Sequence, residues 1–77
     1  MRPIQEILSQ IKWDKNLNPE EYTIYYIDFG NLVSIPFVQI KRIEGLFMFI
    51  EKDGEDTIIP LHRIRIVRKK GEIVWQR

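Results

Sequence analysis

Three side chains that can bind phosphate, His62, Arg63 and Arg65, lie within four positions of one another. Arginine matches phosphate oxygens with two parallel N–H donors, and histidine adds a donor whose charge depends on pH. A short turn that runs into a strand would project Arg63 and Arg65 to one side, since alternate strand residues share a face. This cluster predicts a site for an anionic group. The structural alternative is that His62 is a hydrogen-bonding corner residue.

The same residue types argue against catalysis. His62 is the only histidine and there is no cysteine, so two-histidine phosphodiesterase chemistry and a thiolate nucleophile are both unavailable. No glycine-rich phosphate loop, dinucleotide fingerprint or zinc-protease motif occurs. We therefore expect a protein that is not an enzyme and that needs no cofactor or metal. A nuclease or phosphodiesterase that depends on His62 is a third alternative, ranked after two non-catalytic binding functions.

Charge is unevenly distributed along the chain. Residues 57–77 hold six basic side chains and one acidic one, a net charge of +5, whereas residues 44–56 hold five acidic side chains and one basic one, a net charge of −4. The basic C-terminal segment points to an anionic partner. The alternative is that the acidic and basic segments lie side by side and neutralise each other.

An amphipathic helix is indicated near the start of the chain. Apolar side chains recur there at the i, i+3, i+4 and i+7 spacing of one helical face: Ile4, Ile7, Leu8 and Ile11. Pro3 suits the first turn, because the N–H that it lacks would have no partner there. We expect the helix to end near Lys12, so that Trp13 turns back over the core.

The rest of the chain has the pattern of β-strands joined by tight turns. Segments rich in β-branched and aromatic residues predict strands at Tyr22–Asp28, Leu32–Ile35, Leu46–Ile50, Thr57–Ile59, Ile64–Lys69 and Ile73–Gln76. Leu46–Ile50 is apolar at every position, which predicts a central strand covered on both sides. In the last strand, regular alternation would place Ile73, Trp75 and Arg77 on one face.

The segment Ile59–Val67 has a second copy upstream, Ile35–Ile43. Both copies read Ile-Pro, an apolar residue, two variable residues, Ile, a basic residue and then, two positions later, Ile or Val. The pattern predicts a strand that proline ends, one helical turn and a new strand. The variable residues are Val-Gln in the first copy and His62-Arg63 in the second. Because the scaffold repeats without this polar pair, His62 and Arg63 are the candidates for function.

These elements predict an α+β fold with one N-terminal amphipathic helix packed on a bent antiparallel sheet of five to six strands. We expect residues 1–77 to form one domain with a thin core, given the short chain. The absence of cysteine fits a reducing cytoplasm, where we expect the protein to be located. No apolar run is long enough to span a bilayer, so we expect no membrane partner.

Both ends of the chain resemble a family of short archaeal proteins that carry the RNA cyclic group end recognition domain, a domain that is joined to other modules in some eukaryotic proteins. The similar segments are Arg2–Asp14 (R-P-I…L…I-K-W-D), Ile59–Ile64 (I-P-L-H-R-I) and Val74–Arg77 (V-W-Q-R). The resemblance extends over nearly the whole chain. It implies binding of RNA ends that carry a 2′,3′-cyclic phosphate or a related group.

Residues that match the family pattern are implicated by this resemblance: His62, Arg63, Trp75 and Arg77, with Asp28 as a further member. Family members often have an arginine directly after that aspartate, where this chain has Phe29. If that arginine contacts phosphate, Arg65 or Arg68 would have to replace it here.

Together these observations predict a non-catalytic RNA-binding module that engages a phosphorylated or cyclic-phosphate 3′ end through its basic C-terminal hairpin. Arg63 and Arg65 would clamp phosphate oxygens, His62 would donate to them, and Arg77 would add charge. Trp75 would stack on the terminal base or support the site from beneath, and other candidate rings are Tyr25, Tyr26 and Phe29.

An RNA-processing enzyme is the expected second partner. The alternative is a protein-interaction module, in which the hairpin docks on an acidic partner or pairs with a second copy as a homodimer.

Overall fold

The computed structural model describes residues 2–77, which begin with helix α1 (Ile4–Trp13). The four apolar side chains of the predicted stripe, Ile4, Ile7, Leu8 and Ile11, are all buried. Trp13 remains in the helix and is 73% exposed, so the expectation that it covers the core is wrong. It lies on the polar side of the helix, and the last turn is closed by the bond from the Asp14 N–H to the carbonyl oxygen of Gln10. No helix within residues 2–77 is long and apolar enough to cross a membrane.

Seven antiparallel strands follow α1: β1 (Tyr22–Asp28), β2 (Asn31–Pro36), β3 (Ile40–Glu44), β4 (Phe47–Lys52), β5 (Glu55–Pro60), β6 (Ile64–Lys69) and β7 (Glu72–Gln76). They form a four-stranded sheet in the order β2-β1-β6-β7 and a three-stranded sheet in the order β3-β4-β5. The α+β class and the N-terminal helix are confirmed, but the single sheet of five to six strands is wrong. The strand missing from the six predicted segments is β3, which only the Ile-Pro repeat indicated, an edge strand in which three of five residues are charged. These charges mask the apolar alternation that identifies a strand.

The two copies of the Ile-Pro repeat are the two places where the chain passes between the sheets. The first crossing turn (Phe37–Gln39) joins β2 to β3, and the second crossing turn (Leu61–Arg63) joins β5 to β6. Each turn is a single 3-10 turn that follows a proline, which cannot extend the ladder because it lacks an N–H. Phe37 and Leu61, the apolar residues after each proline, are buried. The predicted sequence of strand, turn and strand is thus confirmed for both copies.

The hydrophobic core is built by α1 and by one face of each sheet. In β1 the alternation is regular, and Tyr22, Ile24 and Tyr26 are buried. In β4 only Met48 and Ile50 are buried, whereas Phe47 is 45% exposed. The expectation of a β4 strand covered on both sides is therefore wrong, because nothing among the described residues buries the outer face of the three-stranded sheet at that position.

A β-bulge in β6 aims the side chains near the second crossing turn. The pairing of β1 with β6 shifts so that Tyr25 is opposite Ile66 and Tyr26 is opposite Ile64, which makes Arg65 the extra residue. A bulge bends the strand and redirects the side chain at that position. Arg65 consequently lies beside the turn rather than in regular strand alternation.

A second shift separates two residues of β7 that regular alternation would place together. Trp75 is opposite Val67, while Ile73 is opposite Arg68, so the strand gains a residue at Val74. Val67 and Trp75 are buried, whereas Ile73 is 48% exposed. The expectation that Ile73 and Trp75 share a face is wrong, because bulges leave no trace in the apolar pattern of a sequence.

Candidate functional site

An open cleft of about 480 Å³ lies where the β1–β2 turn meets the second crossing turn and the start of β6. We call it the basic cleft, and its lining residues are Ile27, Asp28, Phe29, Gly30, His62, Arg63 and Arg65. Four of the six predicted site residues thus share one concave surface. The pairing of β1 with β6 brings these segments together although they are far apart in the sequence.

Arg65 both lines the cleft and fixes the second crossing turn. Its Nη1 donates a hydrogen bond of 2.6 Å to the carbonyl oxygen of His62. A guanidinium carries five N–H donors, so this bond leaves donors available for a ligand. The position of Arg65 at the β6 bulge is what allows its side chain to reach back over the turn.

The side chains of His62 and Arg63 are exposed in the cleft. Neither the imidazole nor the guanidinium has a hydrogen-bond or ion-pair partner within the described range of the chain. An arginine without a carboxylate partner keeps its full capacity for an anion. These two residues are the pair that distinguishes the second copy of the repeat from the first.

Asp28 is held by a lysine from the other sheet. Lys52, at the end of β4, places its Nζ 3.5 Å from Oδ2 of Asp28, whose side chain is 24% exposed. The pair links the two sheets at the rim of the basic cleft and offsets a negative charge that would repel an anion there. Asp28 is therefore near the predicted site, with its carboxylate already occupied.

Arg77 and Trp75 lie behind the second crossing turn. Arg77 donates from Nε to the carbonyl oxygen of Ile64 at 2.9 Å and from Nη2 to that of Leu61 at 3.2 Å. Trp75 is 7% exposed, and its Nε1 donates to the carbonyl oxygen of Arg2 at 2.7 Å. The Arg77 guanidinium carbon lies 5.1 Å from the centre of the Trp75 ring. Neither residue lines the basic cleft.

A smaller groove on the other side of His62 brings Arg77 to the surface. It has a volume of about 170 Å³ and is lined by Pro3, Ile4, Gln5, Leu46, Leu61, His62 and Arg77. Most of these side chains are apolar, so we call it the apolar groove. His62 borders both the basic cleft and the apolar groove. The predicted residues thus fall into two groups: four line the basic cleft, and Trp75 and Arg77 lie behind the turn.

Phe29, which the sequence offered only as one of several candidate stacking rings, lines the cleft together with Ile27 and Gly30. It is 96% exposed and has a φ of +50°, in a two-residue hairpin turn with Gly30. Turns of this kind favour Asn-Gly, because the first position needs a positive φ that costs a bulky residue free energy. The signal present in the sequence is a phenylalanine at the first position of a Phe-Gly turn, where asparagine is favoured.

The distribution of ion pairs bears on whether the acidic and basic segments neutralise each other. Within residues 2–77, three carboxylates of the acidic segment pair with the neighbouring Lys41 and Arg42 of β3: Glu44, Glu51 and Asp56. From the C-terminal segment only Lys70 joins an ion pair, with Glu21 at 3.0 Å. None of the arginines in this segment is therefore neutralised by a carboxylate within residues 2–77.

Metal binding has no support in the described part of the chain. No group of three or more histidine, aspartate or glutamate side chains there is arranged to hold a metal ion. The guanidinium and imidazole donors of the basic cleft are suited to recognition of an anion.

The chain is similar to archaeal proteins along its whole length. The family model described as the MJ1316 RNA cyclic group end recognition domain matches residues 1–77. A UPF0248 protein of Metallosphaera sedula is 35% identical over 75 residues, which cover 96% of this chain and 91% of that protein. A UPF0248 protein of Thermococcus sibiricus is 37% identical over 78 residues, which cover 96% of this chain and 84% of that protein. No solved structure matches the chain.

Proposed function

This chain belongs to the family of the MJ1316 RNA cyclic group end recognition domain, and from that membership we propose that it is a non-catalytic RNA-binding protein that recognises a phosphorylated or 2′,3′-cyclic-phosphate 3′ end. The observation that carries this proposal is the basic cleft, in which His62, Arg63 and Arg65 line one surface. A volume of about 480 Å³ falls within the range of small-ligand pockets.

The cationic side chains of the cleft divide the work of binding phosphate. Arg63, which has no partner of its own, supplies a bidentate fork for two phosphate oxygens. Arg65 adds a second guanidinium whose position is fixed by its bond to the turn. His62 donates a hydrogen bond from the turn itself. A cyclic phosphate carries one negative charge on two free oxygens, which is the geometry that a guanidinium fork matches.

The remaining predicted residues act through the scaffold in this proposal. Trp75 supports the site from beneath, since its ring is buried and its N–H is bonded to the backbone. Arg77 holds the carbonyl groups of the second crossing turn, and Asp28 anchors the rim through Lys52. The ring that is exposed in the cleft is Phe29, which we assign to stacking on the terminal base.

The proposal is tested with short oligonucleotides that differ only in their 3′ end. Affinity is measured by fluorescence anisotropy for cyclic-phosphate, linear-phosphate and hydroxyl ends at two salt concentrations. We expect the phosphorylated ends to bind more tightly and all affinities to fall with salt, because binding releases counterions. Equal affinity for every end, without a salt dependence, would refute the proposal.

A second candidate function is that of a protein-interaction module, and the exposed edge of the four-stranded sheet favours it. β7 is an edge strand in which Ile73 and Val74 are 48% and 47% exposed. Such an edge can pair with a strand of a second copy or of a partner such as an RNA-processing enzyme. This function predicts a dimer or a hetero-complex in light scattering, and an Arg63→Ala variant that binds RNA as well as the parent protein does.

A further inference from the structure

The outer face of the four-stranded sheet is a partly exposed surface of mixed apolar and polar side chains. Strand register places opposite residues on the same face, so the partners of Tyr25 and Ile27 lie beside them, on the side away from the buried Ile24 and Tyr26. We call this surface the sheet face and define it by the pairs Thr23–Arg68, Tyr25–Ser34, Tyr25–Ile66 and Ile27–Leu32. Leu32 is 51% exposed.

The sheet face is continuous with the basic cleft. Ile27 belongs to both surfaces, because it lies on the outer side of β1 and also lines the cleft next to Asp28 and Phe29. A polymer whose end occupies the cleft would therefore leave it over Ile27. The next positions along its path are Tyr25 and, across the sheet, Ile66.

The centre of the sheet face pairs an aromatic ring with an arginine. The Arg68 guanidinium carbon lies 5.3 Å from the centre of the Tyr25 ring. The buried Nε of Arg68 has no hydrogen-bond partner within residues 2–77, and none of the ion pairs found there includes this residue. The face thus presents a half-buried ring beside a cation that no carboxylate neutralises.

This composition identifies the class of occupant. Single-stranded nucleic acid is bound by rings that stack on bases and by cations that contact the phosphates between them. The sheet face supplies one of each at its centre, and none of its seven residues is acidic. An acidic peptide would use Arg68 but would have no need of continuity with a phosphate-binding cleft.

We propose that the sheet face binds the single-stranded nucleotides that precede the RNA end, with Tyr25 stacking on a base and Arg68 contacting a backbone phosphate. This inference rests on the proposed function, because the cleft sets where the strand begins. It extends that function from recognition of an end to recognition of an end on a flexible single strand.

A matched pair on the other sheet provides the control. The Arg42 guanidinium carbon lies 4.1 Å from the centre of the Phe49 ring, in the three-stranded sheet. Arg42 is already paired with Glu44 at 3.3 Å, and neither Arg42 nor Phe49 lines the basic cleft. A Phe49→Leu variant therefore removes an aromatic ring of similar burial without touching the proposed path.

The experiment compares a cyclic-phosphate mononucleotide with a hexanucleotide that has the same end. For the parent protein we expect the hexanucleotide to bind on the order of tenfold more tightly, the effect of about one stacked base. Tyr25→Leu should abolish this gain and leave the mononucleotide affinity unchanged. Tyr25→Phe and Phe49→Leu should both retain the gain, and thermal unfolding verifies that each variant is folded.

The outcomes separate this inference from the function on which it rests. If the mononucleotide binds but the hexanucleotide gains nothing, or if Tyr25→Leu keeps the gain, the sheet face is not the path and end recognition stands. If the hexanucleotide binds regardless of its end and only Tyr25→Leu weakens it, the sheet face stands and end recognition fails. A dimer that Tyr25→Leu dissociates, without any length dependence, would assign the face to a second copy and overturn the inference.

Discussion

Arg65 Nη1 donates a hydrogen bond of 2.6 Å to the carbonyl oxygen of His62, so a cation of the basic cleft also holds the turn that carries its neighbours. Arg77 holds the same turn from behind through the carbonyl groups of Leu61 and Ile64. Arginines near this turn therefore position the backbone, and in the proposed function they also bind the ligand. Arg63 is the one without a structural bond, and the predictions below separate the two tasks.

Replacing Arg63 with alanine should weaken RNA binding without affecting stability. A hydrogen bond to a charged group contributes about 1.5–3 kcal/mol, so we expect a loss of roughly 10- to 150-fold in affinity. The dependence of log affinity on log salt should decrease by about 0.7 for one lost contact with a single strand. Lys15→Ala removes the same charge outside the cleft and serves as control. Equal losses in both variants would show that only net charge matters.

Arg77→Lys should reduce stability while it keeps the charge. A lysine has no fork with which to reach two carbonyl groups, so the bonds to Leu61 and Ile64 cannot both form. We expect the free energy of unfolding to decrease by about 1–3 kcal/mol in urea titrations. Unchanged stability combined with weaker RNA binding would instead mean that Arg77 contacts the RNA directly.

Trp75→Phe should distinguish support from stacking. The variant keeps an aromatic ring in the core but loses the hydrogen bond to the carbonyl oxygen of Arg2. We expect a decrease of about 1 kcal/mol in the free energy of unfolding and an unchanged affinity for RNA. A tenfold loss of affinity in a variant of parental stability would assign Trp75 to base stacking after all.

Phe29→Asn should make the protein more stable and a weaker RNA binder. The left-handed conformation at Phe29 costs a bulky residue about 1–2 kcal/mol, and asparagine adopts it more readily. We expect a gain of about 0.5–1 kcal/mol in stability, measured by thermal unfolding. The affinity for RNA should decrease several-fold through the lost ring, whereas Phe29→Tyr should preserve it. A variant that gains stability and binds RNA as before would remove Phe29 from the site.

Acid should weaken the link between β3 and β5. Lys41 donates a 2.9 Å hydrogen bond to Asp56, which lowers the pKa of that carboxyl group and raises the pKa of Lys41. The contribution of Asp56 to stability is present above its ordinary pKa and is lost as the pH falls through the lowered value. Likewise, the contribution of Lys41 is present below its ordinary pKa and is lost as the pH rises through the raised value.

This pH dependence is measured by urea unfolding between about pH 2 and about pH 6. Asp56→Asn should flatten the decrease in stability at the acidic end, by a small amount because both groups are exposed. Glu55→Gln, an adjacent change in the same hairpin, should leave the curve as it is. An identical acid response in the parent protein and in Asp56→Asn would contradict the prediction.

Local patterns predicted the parts of the fold that local forces determine. The apolar stripe of α1 and the Ile-Pro turns follow from spacing and from the chemistry of proline, and both are confirmed. The division into two sheets depends on which distant strands pair, and no periodicity records that choice. The bulges at Arg65 and Val74 were hidden for the same reason, since they exist only relative to a partner strand.

The candidate site was predictable to a similar degree. His62, Arg63 and Arg65 are close in sequence, so their proximity in the structure needed little more than a turn. From the sequence, Trp75 could be either an exposed ring or a buried support. Its hydrogen-bond partner, the carbonyl oxygen of Arg2, is 73 residues away and could not be known from the sequence. Phe29 lies in the cleft because the pairing of β1 with β6 brings two remote segments of the chain together.

That pairing also has a consequence for the order in which the basic cleft is assembled. β1 cannot complete its pairing until β6 is present. The strands of the entire three-stranded sheet lie between β1 and β6 in the chain. Closing a loop of this length costs entropy, which the two hairpins β3–β4 and β4–β5 reduce if they form first. If these hairpins form first, the two walls of the basic cleft meet after them. A nascent chain on the ribosome, itself surrounded by RNA, has no assembled cleft until β6 has been made.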